Sequence, residues 1–221
     1  MALNLIMLGP PGAGKGTQAE RFARTRGIPK ISTGDILREA VHTGTDLGQR
    51  AKAVMDRGEL VSDDIMIGVV EERLNRDDAR SGFVLDGFPR TVPQAVALDR
   101  MLDGRDPLIV VDIRVPEREL VRRLASRMIC ADCGANGAPG EIVCSHCGGQ
   151  LVQRADDNVA VVLERLRIYN RQTKPLVDFY CTRSTFRSIN GAQGTDSVAA
   201  DLAAAIEAAG SSNGNLPGAC A

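Results

Sequence analysis

The sequence predicts an α/β fold in which a parallel central sheet is flanked by helices, with a small helical lobe and a cysteine-bearing lid inserted. Three observations predict it. A glycine-rich loop, Gly9-Pro10-Pro11-Gly12-Ala13-Gly14-Lys15-Gly16-Thr17, stands between an apolar strand and a helix, the order of a phosphate-binding P-loop. The run Leu108-Ile109-Val110-Val111-Asp112-Ile113 is almost continuously apolar, as strands buried on both faces are. Strand and helix patterns alternate along the chain, which gives a parallel sheet with crossover helices.

Leu3 to Leu8 is the first buried strand, and Thr17 to Arg26 the first helix. Ile28-Pro29-Lys30-Ile31-Ser32 is a short extended segment, because Pro29 disfavours helix. Thr33-Gly34-Asp35 opens a helix carrying Ile36, Leu37, Ala40 and Val41 at helical spacing, ended by Gly44. Asp46 to Asp56 is a further short helix closed by Gly58, and Ser62-Asp63-Asp64 caps the next, whose stripe is Ile65, Val69, Val70 and Leu74. Two compact, glycine-bounded helices between strands form the inserted lobe. Gly82 to Gly87 is a second buried strand ending in an acid, followed by a helix from Pro93 to Leu102. After the Leu108 strand, Pro116 suits the first turn of a helix running to Arg127. Composition shifts abruptly at Cys130. Beyond that insert, Asp157 to Tyr169 and Lys174 to Tyr180 read as helical, Phe186 to Asn190 as a last strand and Asp196 to Ala209 as a last helix. Ser211 to Ala221 is small, polar and glycine-rich, the composition of a disordered tail.

A chain of 221 residues is one large domain, or one with an inserted lobe, and can bury about 70% of the surface its unfolded form exposes. Its formal net charge of −1, with acids and bases interspersed, implies neither a nucleic-acid nor a membrane partner. The first apolar run ends at Gly9 without a basic flank, too short for a signal peptide or a span, so a cytoplasmic protein with reduced thiols is expected. Neither histidine, His42 or His146, lies near a nucleophile signature, so a Ser-His-Asp hydrolase has little support.

The glycine loop turns backbone N–H groups toward an anion, and the helix behind it adds partial positive charge. Lys15 reaches the outer phosphates as a point charge. That much says polyphosphate and leaves GTPase, ATPase, transport motor and small-molecule kinase open. A guanine-reading Asn-Lys-x-Asp segment is absent. Gly16 stands where the general motif has Ser or Thr, and the hydroxyl comes one position later at Thr17.

Cys130-x2-Cys133 and Cys144-x2-Cys147, ten residues apart, have the spacing of a four-thiolate tetrahedral zinc site, with Gly134 and Gly148 supplying the turns. Redox pairs or unligated thiols are the alternatives, and His146 could compete with Cys147 as ligand. The loop between the pairs cannot form a core, so the metal would have to order it. Cys181 and Cys220 stand alone, Cys181 as ordinary packing.

Gly12-Ala13-Gly14-Lys15-Gly16-Thr17, Ile31-Ser32-Thr33-Gly34-Asp35, Asp86-Gly87-Phe88-Pro89-Arg90-Thr91 with Pro93-Gln94, and Arg154-Ala155-Asp156-Asp157 together resemble the adenylate kinase family in order and spacing. The resemblance spans nearly all of residues 3 to 209, and Gly16-Thr17 is the variant that nucleoside monophosphate kinases carry. It implies a P-loop core of 1–32, 62–127 and 158–210, an AMP-binding lobe of 33–61, a zinc-type lid of 128–157 and a tail of 211–221. The implied reaction is reversible in-line phosphoryl transfer, ATP + AMP giving two ADP, by a cytoplasmic monomer with no nucleic-acid or membrane partner. Lys15, Arg90, Arg127, Arg154 and Arg165 would be catalytic. Gly12, Ala13, Gly14, Lys15, Gly16, Thr17, Arg123, Arg127 and Gln193 would hold ATP. Thr33, Arg38, Glu59, Leu60, Val61, Gly87, Phe88, Pro89, Arg90 and Gln94 would form the AMP pocket, joined by Arg154 and Arg165. Asp86 would order the waters of Mg²⁺, and Cys130, Cys133, Cys144 and Cys147 would bind structural zinc.

These residues suit those roles. Two polyanions brought head to head need fixed positive groups, preferably planar and bidentate. The Gln94 amide offers a donor and an acceptor to an adenine edge, and Mg²⁺ prefers carboxylate with water. A solvated helix face is the plain reading of any one arginine, and Arg118 and Arg122 offer the same chemistry as Arg123. Asp156 and Asp157 would cap the next helix and also orient arginines. The lid departs from its relatives: no Tyr-His segment lies between the cysteine pairs, Met128 replaces a common arginine, and Asn158-Val159-Ala160-Val161 is less acidic than usual, which implies altered ATP affinity. Other nucleoside monophosphates as acceptors, a zinc-ribbon nucleic-acid binder and a nucleotide sensor without turnover are the competing functions. Cys130 to Cys147 holds no lysine, arginine or aromatic residue, against the second of these.

Overall fold

The computed structural model describes residues 2–137, 140–154 and 157–210. Its strands are β1 (Leu3–Leu8), β2 (Lys30–Ser32), β3 (Gly82–Asp86), β4 (Leu108–Arg114), β5 (Met128–Cys130), β6 (Leu151–Gln153) and β7 (Phe186–Asn190). Its α-helices are α1 (Lys15–Arg26), α2 (Thr33–His42), α3 (Asp46–Asp56), α4 (Asp63–Leu74), α5 (Val92–Met101), α6 (Glu117–Ala125), α7 (Val159–Ile168), α8 (Pro175–Tyr180) and α9 (Thr195–Gly210). The main sheet runs β2-β3-β1-β4-β7, every pairing parallel, as expected. The extended segment after Pro29 becomes its edge strand, because Lys30, Ile31 and Ser32 pair with Val84, Leu85 and Asp86.

Strand alternation sorts the core into two layers. Ile6, Leu8, Phe83, Leu85 and Val110 face one side, with Leu98, Leu176 and Tyr180 from helices. Leu5, Met7, Val84, Val111 and Ile113 face the other, with Phe22, Leu124, Leu166 and Leu202. Each large side chain so buried contributes about 1.5–3 kcal/mol, which makes the sheet a rigid platform. Register then positions chemistry: Met7 lies opposite Asp86 and Leu8 opposite Asp112, so both acids end up beside the loop that leaves β1. Ligands of open parallel sheets bind at these carboxyl ends, in the crevice where strand order reverses, here between β1 and β4.

Ser32, Thr45 and Thr91 cap α2, α3 and α5 by accepting from Asp35, Gly48 and Gln94 N–H groups. Two cap assignments need correction. The Ser62 side chain makes no cap bond to α4, whose first turn is instead served by the acids Asp63 and Asp64. α7 is capped by Asn158, which accepts from Val161 N at 3.0 Å, and not by Asp157, whose carboxylate is taken by arginines; Asp156 lies outside the described residues. Cys181 packs in the first core layer, as expected, and is disulfide-bonded, which corrects its reading as a cysteine that stands alone. The tail from 211, Cys220 within it, is also outside the described residues.

α2 and α3 form the lobe between β2 and α4, packed so closely that a Cβ on Gly48 would stand 2.0 Å from the Ala40 carbonyl oxygen. The insert after α6 begins with β5, which pairs antiparallel with β6. Its apolar cluster is Cys130, Cys144 and Leu151, with Met128 and Ala135 against them.

Candidate active site and metal centre

The glycine loop is shaped by its own backbone. Gly14 caps α1 with φ of 91°, left-handed backbone that only glycine adopts readily. A Cβ on Gly16 would meet Asp86 Oδ2 at 3.1 Å, so this glycine, odd against the general motif, lets the strand-end carboxylate approach the loop. Lys15 Nζ donates to the carbonyls of Gly9 at 2.7 Å and Pro10 at 3.0 Å, its ammonium folded back over the cradle. Burial lowers its pKa, Asp86 pulls it back up, and Arg90, Arg165 and Arg127 push it down again, to about 8. The charges of three arginines from separate parts of the chain are therefore felt at the Lys15 ammonium. Such crowding is costly until an anion arrives.

Carboxylates hold the cluster in place. Asp157, with its side chain fully buried, accepts from Arg127 Nε at 2.7 Å and Nη2 at 2.6 Å, and from Arg165 Nη1 at 3.1 Å. The bidentate pair fixes the plane of the Arg127 guanidinium, while both arginines keep about a fifth of their side chains exposed. The expectation that Asp157 orients arginines holds for these two. Arg154, half-buried, sits at the end of β6. Arg90 donates from Nε to the Gly87 carbonyl at 2.8 Å.

Thr33 is buried and donates from Oγ1 to the same Gly87 carbonyl at 2.9 Å, so Thr33, Gly87 and Arg90 share one corner. Arg38 pairs with Asp35 one turn back. Burial alone would raise the Asp35 pKa, but Arg38 and Lys30 outweigh it and hold the carboxyl below its ordinary range. Gln94 is buried, and both ends of its amide are engaged: Nε2 donates to Asp63 Oδ1 at 2.8 Å, and Oε1 accepts from Arg90 N at 2.7 Å. Of the other expected pocket residues, Glu59 is ion-paired with Arg57, Leu60 is half-buried, and Val61, Phe88 and Pro89 are buried, Val61 and Phe88 as core members. A Cβ on Gly58 would come within 2.9 Å of Arg165 Cγ and 3.1 Å of Val161 Cγ1, so the end of the helical lobe rests on α7.

On the far side of the loop, Arg123 donates to Glu119 at 2.9 Å and to the Gly191 carbonyl at 2.9 Å. Arg122 also grips Glu119 but points to solvent. The structure thus separates two arginines the sequence left equivalent. Hydrogen bonds from Arg122 and Arg123 hold the Glu119 carboxyl down at about 2. Gln193 donates to Asn190 O at 3.1 Å and Asp201 Oδ2 at 2.6 Å. Asp112, which sequence reasoning passed over, is buried beside the Lys15 loop; burial raises its pKa against the Arg114 Nε bond of 3.1 Å and the Lys15 charge. An acid within an otherwise apolar strand was the signal that could have found it.

The sulfurs of Cys130, Cys133, Cys144 and Cys147 lie within 4.8 Å of one another, with Cys130–Cys147 at 3.4 Å and Cys133–Cys144 at 3.6 Å. Zinc–sulfur bonds of about 2.3 Å in a tetrahedron place sulfurs at comparable separations. The pairs sit on matching turns. Gly134 N donates to Cys130 O and Cys130 N to Ala135 O; Gly148 N donates to Cys144 O and Cys144 N to Gly149 O. Backbone N–H groups of Cys133 and Asp132 draw the Cys130 thiol down to about 7. Cys147 is pushed up to about 12, its Gly149 N–H bond outweighed by the Cys133 and Cys130 sulfurs. Thiolates this close need a soft dication, and the set fits one. The position of His146 near the cluster is limited to its backbone, which donates to Cys144 Sγ at 3.4 Å.

A glycine-loop nest at the carboxyl edge of a parallel sheet, ringed by cations, defines a nucleoside-triphosphate-binding P-loop phosphotransferase. Residues 7–185 match the family model described as adenylate kinase. The adenylate kinase of Geobacter sp. (strain M21) is 50% identical over 214 residues, covering 93% of this chain and all of that protein. That of Archaeoglobus fulgidus is 48% identical over 213 residues, 93% of this chain and 98% of its own. That of Geobacillus sp. (strain WCH70) is 50% identical over 208 residues, 90% and 96% respectively. The chain belongs to the adenylate kinase family, and its reaction is reversible phosphoryl transfer between ATP and AMP.

Proposed function

We propose that this transfer is direct and in line, with donor and acceptor phosphates meeting at the cation cluster around Lys15. An oxygen of the AMP phosphate attacks the γ-phosphorus of ATP, the bond to the β,γ-bridging oxygen breaks, and ADP leaves from each side. No enzyme nucleophile is needed, so the protein's contribution is positioning and charge. The Lys15 ammonium folded over the glycine loop, with Arg127 and Arg165 held on the one buried Asp157 carboxylate, is the observation that carries this reading.

The loop from Gly12 to Thr17 cradles the β- and γ-phosphates with Lys15. Arg123 and Gln193 face the ATP base, flanking the Gly191 turn. Arg38 and Arg90 hold the AMP phosphate; Arg127, Arg154 and Arg165 bridge the group in flight. Thr33, the 59–61 segment, the 87–90 turn and Gln94 enclose the AMP base. Mg²⁺ would shield the phosphate charge when bound with ATP, and Asp86, whose carboxylate lies against Gly16, would order its waters. Residues 1–32, 62–127 and 158–210 act as the core, 33–61 as the acceptor lobe and 128–157 as the lid. Closure of the lid would exclude water that would otherwise hydrolyse ATP. The four cysteines hold zinc as a structural ion.

A monomer in the cytoplasm, without nucleic-acid or membrane partners, completes the proposal. The net charge of −1 supports it, as does the lack of a helix among the described residues long and apolar enough to cross a membrane. A coupled assay for ADP with ATP, Mg²⁺ and each of AMP, GMP, CMP and UMP is the test. Turnover with AMP far above the rest is expected; equal turnover with another acceptor would reject the adenine assignment.

A further inference from the structure

We propose that Asp63 is a positioning residue that sets the base selectivity of the acceptor pocket by fixing which way the Gln94 amide points. The inference rests on the placement of Gln94 against the AMP base proposed above.

A glutamine amide can present its oxygen and nitrogen in either order, and the two orders read different bases. Adenine carries a donor, its amino group, at C6, beside an acceptor ring nitrogen on either edge. Guanine carries an acceptor oxygen at C6, beside a ring N–H on the Watson–Crick edge. An amide whose oxygen faces the C6 substituent suits adenine and meets guanine with two lone pairs opposed. The flipped amide suits guanine. A glutamine free to flip therefore discriminates weakly.

Gln94 is not free to flip. The Asp63 carboxylate can only accept, and it lies 2.8 Å from Gln94 Nε2, so the nitrogen must face it. The Arg90 N–H can only donate, and it lies 2.7 Å from Oε1, so the oxygen must face that side. Both neighbours demand the same polarity. After these bonds Nε2 keeps one hydrogen and Oε1 one lone pair, which is what a base edge would use. Asp63 is itself held: Thr91 Oγ1 donates to its second oxygen at 3.0 Å, and it sits in the first turn of α4, whose dipole favours the negative charge. The Thr91 backbone and Gln94 belong to the start of α5, so the lock joins two helices through partly buried, charge-assisted bonds. A carboxylate that served only to join α4 to α5 would not require its partner to be an amide of fixed polarity, and its loss would weaken both substrates alike.

The test compares Asp63→Ala, Asp63→Asn and Gln94→Ala with the unaltered full-length protein, measuring KM for AMP, KM for ATP and the ratio of kcat/KM for AMP over GMP. Asp63→Ala is expected to raise KM for AMP about tenfold and to lower the AMP-over-GMP ratio by a similar factor, the scale of one charge-assisted bond. KM for ATP should stay within about twofold. Asp63→Asn, whose carbonyl can still accept from Nε2, should fall between, with a rise of about threefold. Unchanged KM for AMP and unchanged selectivity in both Asp63 variants, alongside a raised KM in Gln94→Ala, overturn the role of Asp63 alone. An unmoved KM for AMP in Gln94→Ala overturns the pocket assignment and this inference with it. An equal loss for AMP and ATP in the Asp63 variants overturns it in favour of a purely structural link. Should the alanine variant not fold, the asparagine variant decides by the same readouts.

Discussion

The Lys15 cluster and the four-cysteine insert both crowd like-charged groups together, yet they do so by opposite means. Around Lys15 the scaffold does the holding: two buried core layers fix the strand ends, and Asp157 and backbone carbonyls pin the cations before any nucleotide arrives. Around the cysteines there is little scaffold. The local apolar cluster is two of the cysteines and Leu151 with two partly buried neighbours, far too small to fold thirty residues. One site is organised by burial and waits for its ligand. The other has four thiols placed to fit one ion and little else to organise it. Preorganisation therefore belongs to the Lys15 site, and dependence on an ion is expected of the insert.

Breaking the first half of that contrast should have the largest effect. Arg127→Ala is expected to lower kcat by about 10³ to 10⁵, the scale of one transition-state arginine, while the melting temperature moves by only a few degrees. Near-normal turnover in the purified variant would mean the cluster is a surface feature. The second half is tested by stripping the metal or by Cys144→Ser. Zinc binding of roughly 10–16 kcal/mol orders small finger domains. Calorimetry should therefore show the insert losing its cooperative transition, with specific activity at moderate temperature falling less than stability. Equal stability of the metal-free protein would show that the insert holds itself together.

The smallest expected effect is a pH dependence. The Lys15 pKa of about 8 lies below its ordinary 10.5, so the folded, nucleotide-free protein loses this proton first as pH rises. Between those values the unfolded chain binds more protons, and this group makes the free fold gain stability with rising pH. Polyphosphate binding moves the other way, since the cradle loses a cation. KM for ATP is expected to hold level to about pH 8 and then climb several-fold by about pH 10. A flat profile would show that burial and the neighbouring arginines do not hold the Lys15 pKa down.

Much of this was legible in the chain. The glycine loop is local, since its backbone geometry needs glycine at fixed steps, and the strands announced themselves by apolar runs. Cysteine spacing foretold a cluster whose sulfurs are in fact within reach of one ion. What stayed hidden depended on contacts across the fold. Gln94 was read as an amide offered to an adenine edge, and its tie to Asp63, 31 residues earlier, was hidden because no local pattern encodes that pairing. Asp157 and Asn158 are adjacent and both suit a helix cap; only the approach of Arg127 and Arg165 decides which one caps. Arg122 and Arg123 are equivalent in sequence and were separated by the distant carbonyl of Gly191. Lys30–Ser32 is too short to show periodicity, and became a strand because Val84 to Asp86 offered it an edge.

The bare backbone of Gly58 has one further consequence. It seats the end of the helical lobe against Arg165, and Arg165 shares the Asp157 carboxylate with Arg127. A side chain added at residue 58 would therefore push on the first arginine, and the shared acid would carry the displacement to the second.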